Sequence, residues 1–293
     1  MKQRVLVLGA GGQLGRELLE TVGPETECIA LTRSELDIAD ADVVAERLQG
    51  LAPRVVVNAA AYTAVDAAEE DVRAAWRGNA TGPENLARSC NNLGIRLLHV
   101  STDFVFDGAA TRPYSTDAPT APLGAYGRSK LAGEQAVQAA CPQAVIVRSS
   151  WVYSRFGNNF VKTMLRLMSE RDELAVVADQ VGSPTWARGL ARALWSAAAH
   201  PALSGIYHWS DDGQCSWYDL AVAVFEEASA LELLRRPVKI KAISSSEYPT
   251  AAARPRYSVL DTRRSHQDLA LPGVQWRVQL RNMLADLKES QDE

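Results

Sequence analysis

The chain has no basic run long enough to follow a phosphate backbone and no repeat or low-complexity tract. It also lacks the uninterrupted apolar stretch of roughly twenty residues that a membrane span needs. Nucleic acid and membrane are therefore not expected as partners. Cysteine and histidine are scarce, four of each. Cys28, Cys90, Cys141 and Cys215 lie far apart, and no pair has the spacing of a redox or zinc motif, so reduced thiols in a cytoplasmic protein are expected. His99, His200, His208 and His266 are equally scattered, without a pair one helical turn apart, and no metal is expected. The apolar stretch Val5 to Leu8 stops at Gly9, too early for a secretory signal. What is present is 293 residues, 47% hydrophobic and 23% charged, with a formal net charge of −4. That composition suits a globular protein with a sizeable core, and the length suits two lobes.

Apolar runs alternate with helical spacing along the first half. Val5 to Leu8, Cys28 to Leu31, Val55 to Val57, Ile95 to Val100 and Ala144 to Val147 read as strands. Between them, helical patterns follow Gly12, cover Asp40 to Leu48 and cover Pro83 to Leu93. Strands without polar alternation, separated by helices, predict an α/β fold: a Rossmann-type doubly wound parallel sheet covered on both faces. Residues 1–150 are expected to form a dinucleotide-binding domain. Residues 151–293 are expected to form mainly a smaller C-terminal substrate-binding lobe, with some segments returning to the first domain. Helices are predicted there over Asn159 to Met168, Arg188 to Ala199, Ser216 to Ala230 and Val278 to Leu287. Loops are expected at Asp179 to Thr185 and Ser244 to Tyr257, and a frayed tail from Lys288 to Glu293.

Gly9, Gly12 and Gly15 stand three residues apart where the first strand meets the first helix. Such a turn lets a pyrophosphate approach the backbone at a helix N-terminus, so these glycines are candidates for a dinucleotide cradle. At the end of the second strand, where an NAD-selective fold carries an acid, the chain has Arg33. A guanidinium there can pair with a 2′-phosphate, which predicts a preference for NADP(H). Tyr126 and Lys130 are four residues apart and leave one face of a helix together. A phenol with a pKa of about 10 relays protons poorly at neutral pH, and a neighbouring ammonium is expected to bring it down. Tyr126 could then protonate the alkoxide formed by hydride addition to a ketone. Ser101, Thr102 and Asp103 follow a strand at its carboxyl end, placing a hydroxyl where it can hold the substrate carbonyl.

Together these segments resemble the dTDP-4-dehydrorhamnose reductase family within the extended short-chain dehydrogenases. The resemblance is carried by the run Gly9 to Gly15, the block Asn58-Ala59-Ala60-Ala61-Tyr62-Thr63-Ala64-Val65-Asp66, the run Ser101 to Gly108 and the Tyr126/Lys130 pair. Later blocks, Arg148 to Tyr153, Gly157 to Phe160, Asp179 to Thr185 and Arg254 to Leu260, are similar as well. It implies reduction of the 4-keto group of dTDP-6-deoxy-L-lyxo-4-hexulose by NADPH, or by NADH, to dTDP-L-rhamnose. It further implies Thr102, Tyr126 and Lys130 as the catalytic trio. By the same likeness Gln13 and Leu14 would lie along the pyrophosphate, Asp37 and Ile38 near the adenine, and Ala60, Ala61 and Tyr62 along the inner half of the cofactor. Asp103, Phe104, Trp151, Asn158, Arg254 and Ser258 would face the sugar nucleotide. Phe104 stands where many relatives carry tyrosine. Some members form metal-bridged dimers through glutamates; Glu17 matches one such position, but the stretch Trp186 to Leu194 holds no carboxylate, so no metal is expected. A homodimer stays open. Rival readings are a reductase of another nucleotide-linked 4-keto deoxysugar, and a non-catalytic NADP-binding subunit like the regulatory β subunit of methionine adenosyltransferase. A dehydratase is disfavoured because Phe104 stands where that chemistry places a glutamate.

Overall fold

The computed structural model describes residues 2–292. Six parallel strands form its central sheet: β1 (Gln3–Leu8), β2 (Thr26–Leu31), β3 (Val55–Asn58), β4 (Arg96–Thr102), β5 (Val145–Ser149) and Gly205–Trp209. Their spatial order is Gly205–Trp209, β5, β4, β3, β1, β2, with every neighbouring pair parallel. The order reverses between β1 and β3, so the crevice beyond their carboxyl ends is where a ligand is expected.

The absence of polar alternation in the strands has a simple cause. Val5 and Val7 of β1 enter one core cluster and Leu6 and Leu8 the other, on opposite faces of the sheet. Val55 and Val57 against Val56, and Val145 and Val147 against Ile146, divide the same way. Leu14 and Leu18 of the helix Gln13–Glu20, with Leu190 and Leu194 of Ala187–Ala199, pack into the first cluster. Val44 and Leu48 of Ala41–Leu51, Leu86 and Cys90 of Gly82–Leu93, and Val137 of Ala125–Ala140 pack into the second. Ala187–Ala199 and Gly205–Trp209 thus come from the second half of the chain but build on the first sheet.

A separate cluster joins the helices Phe160–Glu170, Trp217–Ala230 and Trp276–Asp292 to the parallel pair Glu173–Val177 and Lys239–Ile243. Local signals start two of these helices. Asn159 accepts from the Lys162 amide, and Ser216 and Asp219 form a reciprocal capping box. The segment Asp179 to Thr185 is more ordered than the expected loop: Val181–Gly182 pairs with Cys215–Ser216, and Thr185–Trp186 with Val152–Tyr153. The expected frayed tail is also corrected. The last helix continues through Lys288 to Asp292, held by Met283, Leu284 and Leu287 in the separate cluster, while Glu293 lies outside the described residues.

Glu17 is fully buried and, through Arg188, links the first helix to the last. It accepts from the Ser154 hydroxyl at 2.7 Å and from Arg188 Nε at 2.9 Å, and Arg188 also grips Asp286 at 3.1 and 2.9 Å. An arginine from the Trp186 to Leu194 stretch therefore neutralises the carboxylate. Among the described residues no group of three or more His, Cys, Asp or Glu is arranged to hold a metal ion. No helix among them is long and apolar enough to cross a membrane.

Candidate active site

A cavity of about 890 Å³ opens beyond the carboxyl ends of β1, β3 and β4. Its floor begins at the glycine turn. Gly9 has φ +79°, and a Cβ there would lie 2.7 Å from the Ala60 amide nitrogen. At Gly15 a Cβ would lie 2.2 Å from the Gly9 carbonyl oxygen. Gly15 does not itself line the cavity; it lets the first helix sit against the turn. Gly12 ends the turn without a side-chain cap on that helix, leaving the first-turn amides open to an anion. Gly9, Gly12, Gln13 and Leu14 line the wall, and Gln13 accepts from Asn159 Nδ2 at 2.8 Å, which draws the Asn158 loop across the turn.

Arg33, Asp37 and Ile38 line the end of the cavity nearest β2. The Arg33 side chain is 81% exposed and 4.0 Å from Asp37, whereas Arg77 reaches the same carboxylate at 2.9 Å. Arg77 carried no signal in the sequence, because its approach depends on a contact across forty residues. Ala60, Ala61 and Tyr62 form the wall after β3. Buried Asn79 accepts from the Tyr62 amide at 2.9 Å and donates to the Tyr62 carbonyl at 3.0 Å. Asn79 Nδ2 also reaches the Ser129 hydroxyl at 3.1 Å, tying that wall to the helix that bears Tyr126.

Tyr126 and Lys130 project from the helix Ala125–Ala140 towards the end of β4, where Thr102 and Asp103 stand. The Tyr126 ring meets Phe104 edge-on, with centroids 5.5 Å apart. Burial pushes the Tyr126 phenol up to about 12, opposed by the Thr102 hydroxyl and reinforced by Asp103. Tyr126 therefore departs from the expectation of a lowered phenol. The Lys130 ammonium is committed to the Val100 carbonyl at 2.7 Å, and its own burial brings it down to about 8. Asp103 is 1% exposed and rises to about 6, chiefly by burial. Its Oδ1 lies 3.0 Å from Thr102 Oγ1, while Oδ2 and the neighbouring Ser101 hydroxyl have no hydrogen-bond partner.

Trp151, Asn158 and Arg254 line the outer part of the cavity. Trp151 has φ +46° and stacks on Trp217 with centroids 3.5 Å apart. Trp217 is a second aromatic wall residue, within a segment expected only as a helix; its Nε1 donates to Gln180 at 3.2 Å. Arg254 grips Asp66 at 3.0 and 2.7 Å, closing one rim against the block that follows β3. Ser258 is buried and absent from the cavity wall; its hydroxyl faces Asp103 and favours the ionised carboxyl. Ser258 thus stands behind the site, in contrast to its expected place on the sugar-nucleotide side.

The cavity can therefore cradle a diphosphate at one end, hold a carbonyl beside a protonated phenol at its centre, and take a flat group along paired indoles at the other. Comparison with known proteins agrees in scale. The family described as RmlD substrate binding domain matches residues 3–289. A protein of Aggregatibacter actinomycetemcomitans named dTDP-4-dehydrorhamnose reductase is 41% identical over 96% of this chain and 98% of its own length. One of Mycobacterium tuberculosis with the same name is 44% identical over 97% of this chain and 93% of its own. The crystal structure of dTDP-4-dehydrorhamnose reductase from Bacillus anthracis in complex with NADP superposes with a TM-score of 0.92, at 37% identity, covering 98% of this chain and all of that one.

Proposed function

The chain belongs to the RmlD family, whose relatives above are named dTDP-4-dehydrorhamnose reductase, and from that premise we propose that it reduces the 4-keto group of dTDP-6-deoxy-L-lyxo-4-hexulose with NADPH, yielding dTDP-L-rhamnose. One observation carries this reading: the glycine turn and the trio Thr102, Tyr126 and Lys130 open into a single cavity.

The residues present fit the cofactor. The uncapped helix start beyond Gly12 suits its diphosphate, with Gln13 and Leu14 alongside, and the unpartnered Ser101 hydroxyl suits a polar group on the cavity wall. Asp37 and Ile38 would hold the adenosine, Arg33 and Arg77 the 2′-phosphate, and Ala60, Ala61 and Tyr62 the inner half. When bound, NADPH supplies the hydride that adds to C4 of the sugar. As the carbonyl π pair moves onto oxygen, Tyr126 gives its phenolic proton to that oxygen, and solvent returns a proton to the phenolate. A phenol near 12 is protonated at neutral pH and so has a proton to give as the alkoxide forms. Thr102 holds the carbonyl oxygen and Lys130 the ribose hydroxyls. Trp151, Trp217, Asn158 and Arg254 form the sugar-nucleotide side, with Phe104 bracing the Tyr126 ring.

The test is NADPH oxidation with enzymatically prepared dTDP-6-deoxy-L-lyxo-4-hexulose. Oxidation matched by formation of dTDP-L-rhamnose supports the reading. NADPH binding without consumption overturns the substrate assignment and brings forward other 4-keto sugars or a binding role. The four free cysteines suit the cytoplasm, where we place the enzyme.

A further inference from the structure

Thr102 has one hydroxyl proton and two lone pairs to distribute. One lone pair accepts the Phe104 amide at 3.2 Å. Asp103 Oδ1 lies 3.0 Å away, and the two oxygens share whichever proton is available. If Asp103 is ionised, Thr102 must donate to it, and its remaining lone pair faces Tyr126. The phenolic proton is then drawn to Thr102, and neither hydroxyl is aimed at a carbonyl oxygen. If Asp103 is neutral, the contact reverses: Asp103 donates, both lone pairs of Thr102 are filled, and its proton points into the cavity.

Burial brings the second arrangement within reach, and it predominates below about pH 6. Asp103 is 1% exposed, and its Oδ2 is buried without a hydrogen-bond partner. No charged side chain among the described residues hydrogen-bonds to it. The groups that face it are the Thr102 and Ser258 hydroxyls, the amide of Phe104, and the titratable Tyr126. Lys130, from the same helix as Tyr126, is turned to the Val100 carbonyl. An unpaired carboxylate in such a place is costly, and protonation removes the cost.

Resting on the reductase reading above, we propose that Asp103 is a positioning residue that works as a neutral acid, donating to Thr102 so that the Thr102 hydroxyl donates to the oxygen being reduced. Its proton stays on Asp103 throughout; only the direction of the hydrogen bond is set. Ser258, behind it, tunes how readily Asp103 ionises.

The experiment measures kcat/KM for NADPH-dependent reduction against pH in the wild type, Asp103→Asn and Ser258→Ala. In the wild type, activity falls as pH rises past about 6, where Asp103 loses its proton. Asn donates through its amide and does not titrate, so Asp103→Asn keeps activity within about tenfold and loses this decline, whereas Asp103→Ala falls on the order of a hundredfold. Ser258→Ala removes a group that favours the ionised form and moves the decline to higher pH. The same decline in Asp103→Asn as in the wild type, or none in the wild type, overturns the proposal.

A second measurement is independent of turnover and separates this proposal from the substrate assignment. The Asp103 carboxyl is followed by NMR in aspartate-labelled protein saturated with NADPH, its signal assigned by its loss in Asp103→Asn. A neutral carboxyl at about pH 5, a unit above the ordinary value of about 3.9, supports the proposal, and an ionised one overturns it. Failure to turn over the keto sugar, by contrast, strikes only the reductase reading.

Discussion

Replacing Tyr126 with Phe removes one oxygen atom and leaves the rest of the side chain in place. The ring keeps its edge-on packing against Phe104 at 5.5 Å, and the helix Ala125–Ala140 keeps its Ser129 and Lys130 contacts, which do not use the phenol. The stability cost should not exceed that of one hydrogen bond, about 1 kcal/mol. Turnover is another matter. With no phenol, the alkoxide must find its proton in water inside a desolvated cavity, and loss of a positioned acid costs roughly a hundred- to ten-thousandfold. The lower figure corresponds to about 2.7 kcal/mol on the barrier. The glycine turn and the Ala60 to Tyr62 wall are untouched, so NADPH affinity should change little. Initial rates from NADPH absorbance and a binding titration by NADPH fluorescence separate these quantities. Turnover within about threefold of the wild type would refute the proton-donor role of Tyr126.

Arg77→Ala should raise the KM for NADPH about tenfold and leave that for NADH nearly unchanged, since Arg77 holds Asp37 at 2.9 Å and offsets its charge near the 2′-phosphate. Arg33→Ala should do the same more weakly because its side chain is 81% exposed; equal effects on both cofactors would exclude a 2′-phosphate role. Gly15→Ala should abolish NADPH binding or soluble expression, because a Cβ 2.2 Å from the Gly9 carbonyl oxygen pushes the helix off the turn; a titration matching the wild type would contradict this packing. Arg148→Met should cost about 3–5 kcal/mol by leaving Glu134 charged and unpaired on the buried face of the helix that bears Tyr126, where the two now meet at 2.7 Å. Chemical denaturation measures the loss, and adding Glu134→Gln should recover part of it.

The parallel sheet was legible because its strands are buried on both faces, which erases polar alternation and leaves runs such as Val5 to Leu8. Gly205–Trp209 escaped because it carries a glycine and buried His208 in place of such a run, and its order comes from pairing with β5. The glycine turn and the Tyr126/Lys130 pair were legible as local spacings. Local spacing says nothing of what the ends of side chains reach. Lys130 shares a helix face with Tyr126, yet its ammonium bonds the Val100 carbonyl, and burial raises the phenol where a fall was expected. Arg77 and Trp217 complete the cavity walls and Asn79 braces the Tyr62 wall through contacts distant in sequence, and a lone asparagine, a surface-like arginine or one tryptophan in a helix has no periodicity to announce it. Ser258 was found by its motif, but only the fold places its hydroxyl against Asp103.

Glu17 shows how stability and binding meet in one contact. Its helix begins at the glycine turn, and its carboxylate, fully buried, is balanced by Arg188 at 2.9 Å and by the Ser154 hydroxyl at 2.7 Å. Arg188 spends its other nitrogens on Asp286 in the last helix. Arg188→Met would leave an uncompensated charge between the first and last helices, a loss of about 3–5 kcal/mol. The first helix can relieve that charge by moving towards solvent, but the movement draws Gln13 away from Asn159, now 2.8 Å apart, and opens the end of the cavity where the diphosphate is proposed to lie. Arg188→Met should therefore weaken NADPH binding as well as folding, although Arg188 does not line the cavity. The double variant Arg188→Met with Glu17→Gln removes the charge itself and should recover both together. Recovery of stability without recovery of NADPH affinity would separate the junction from the site and refute the coupling.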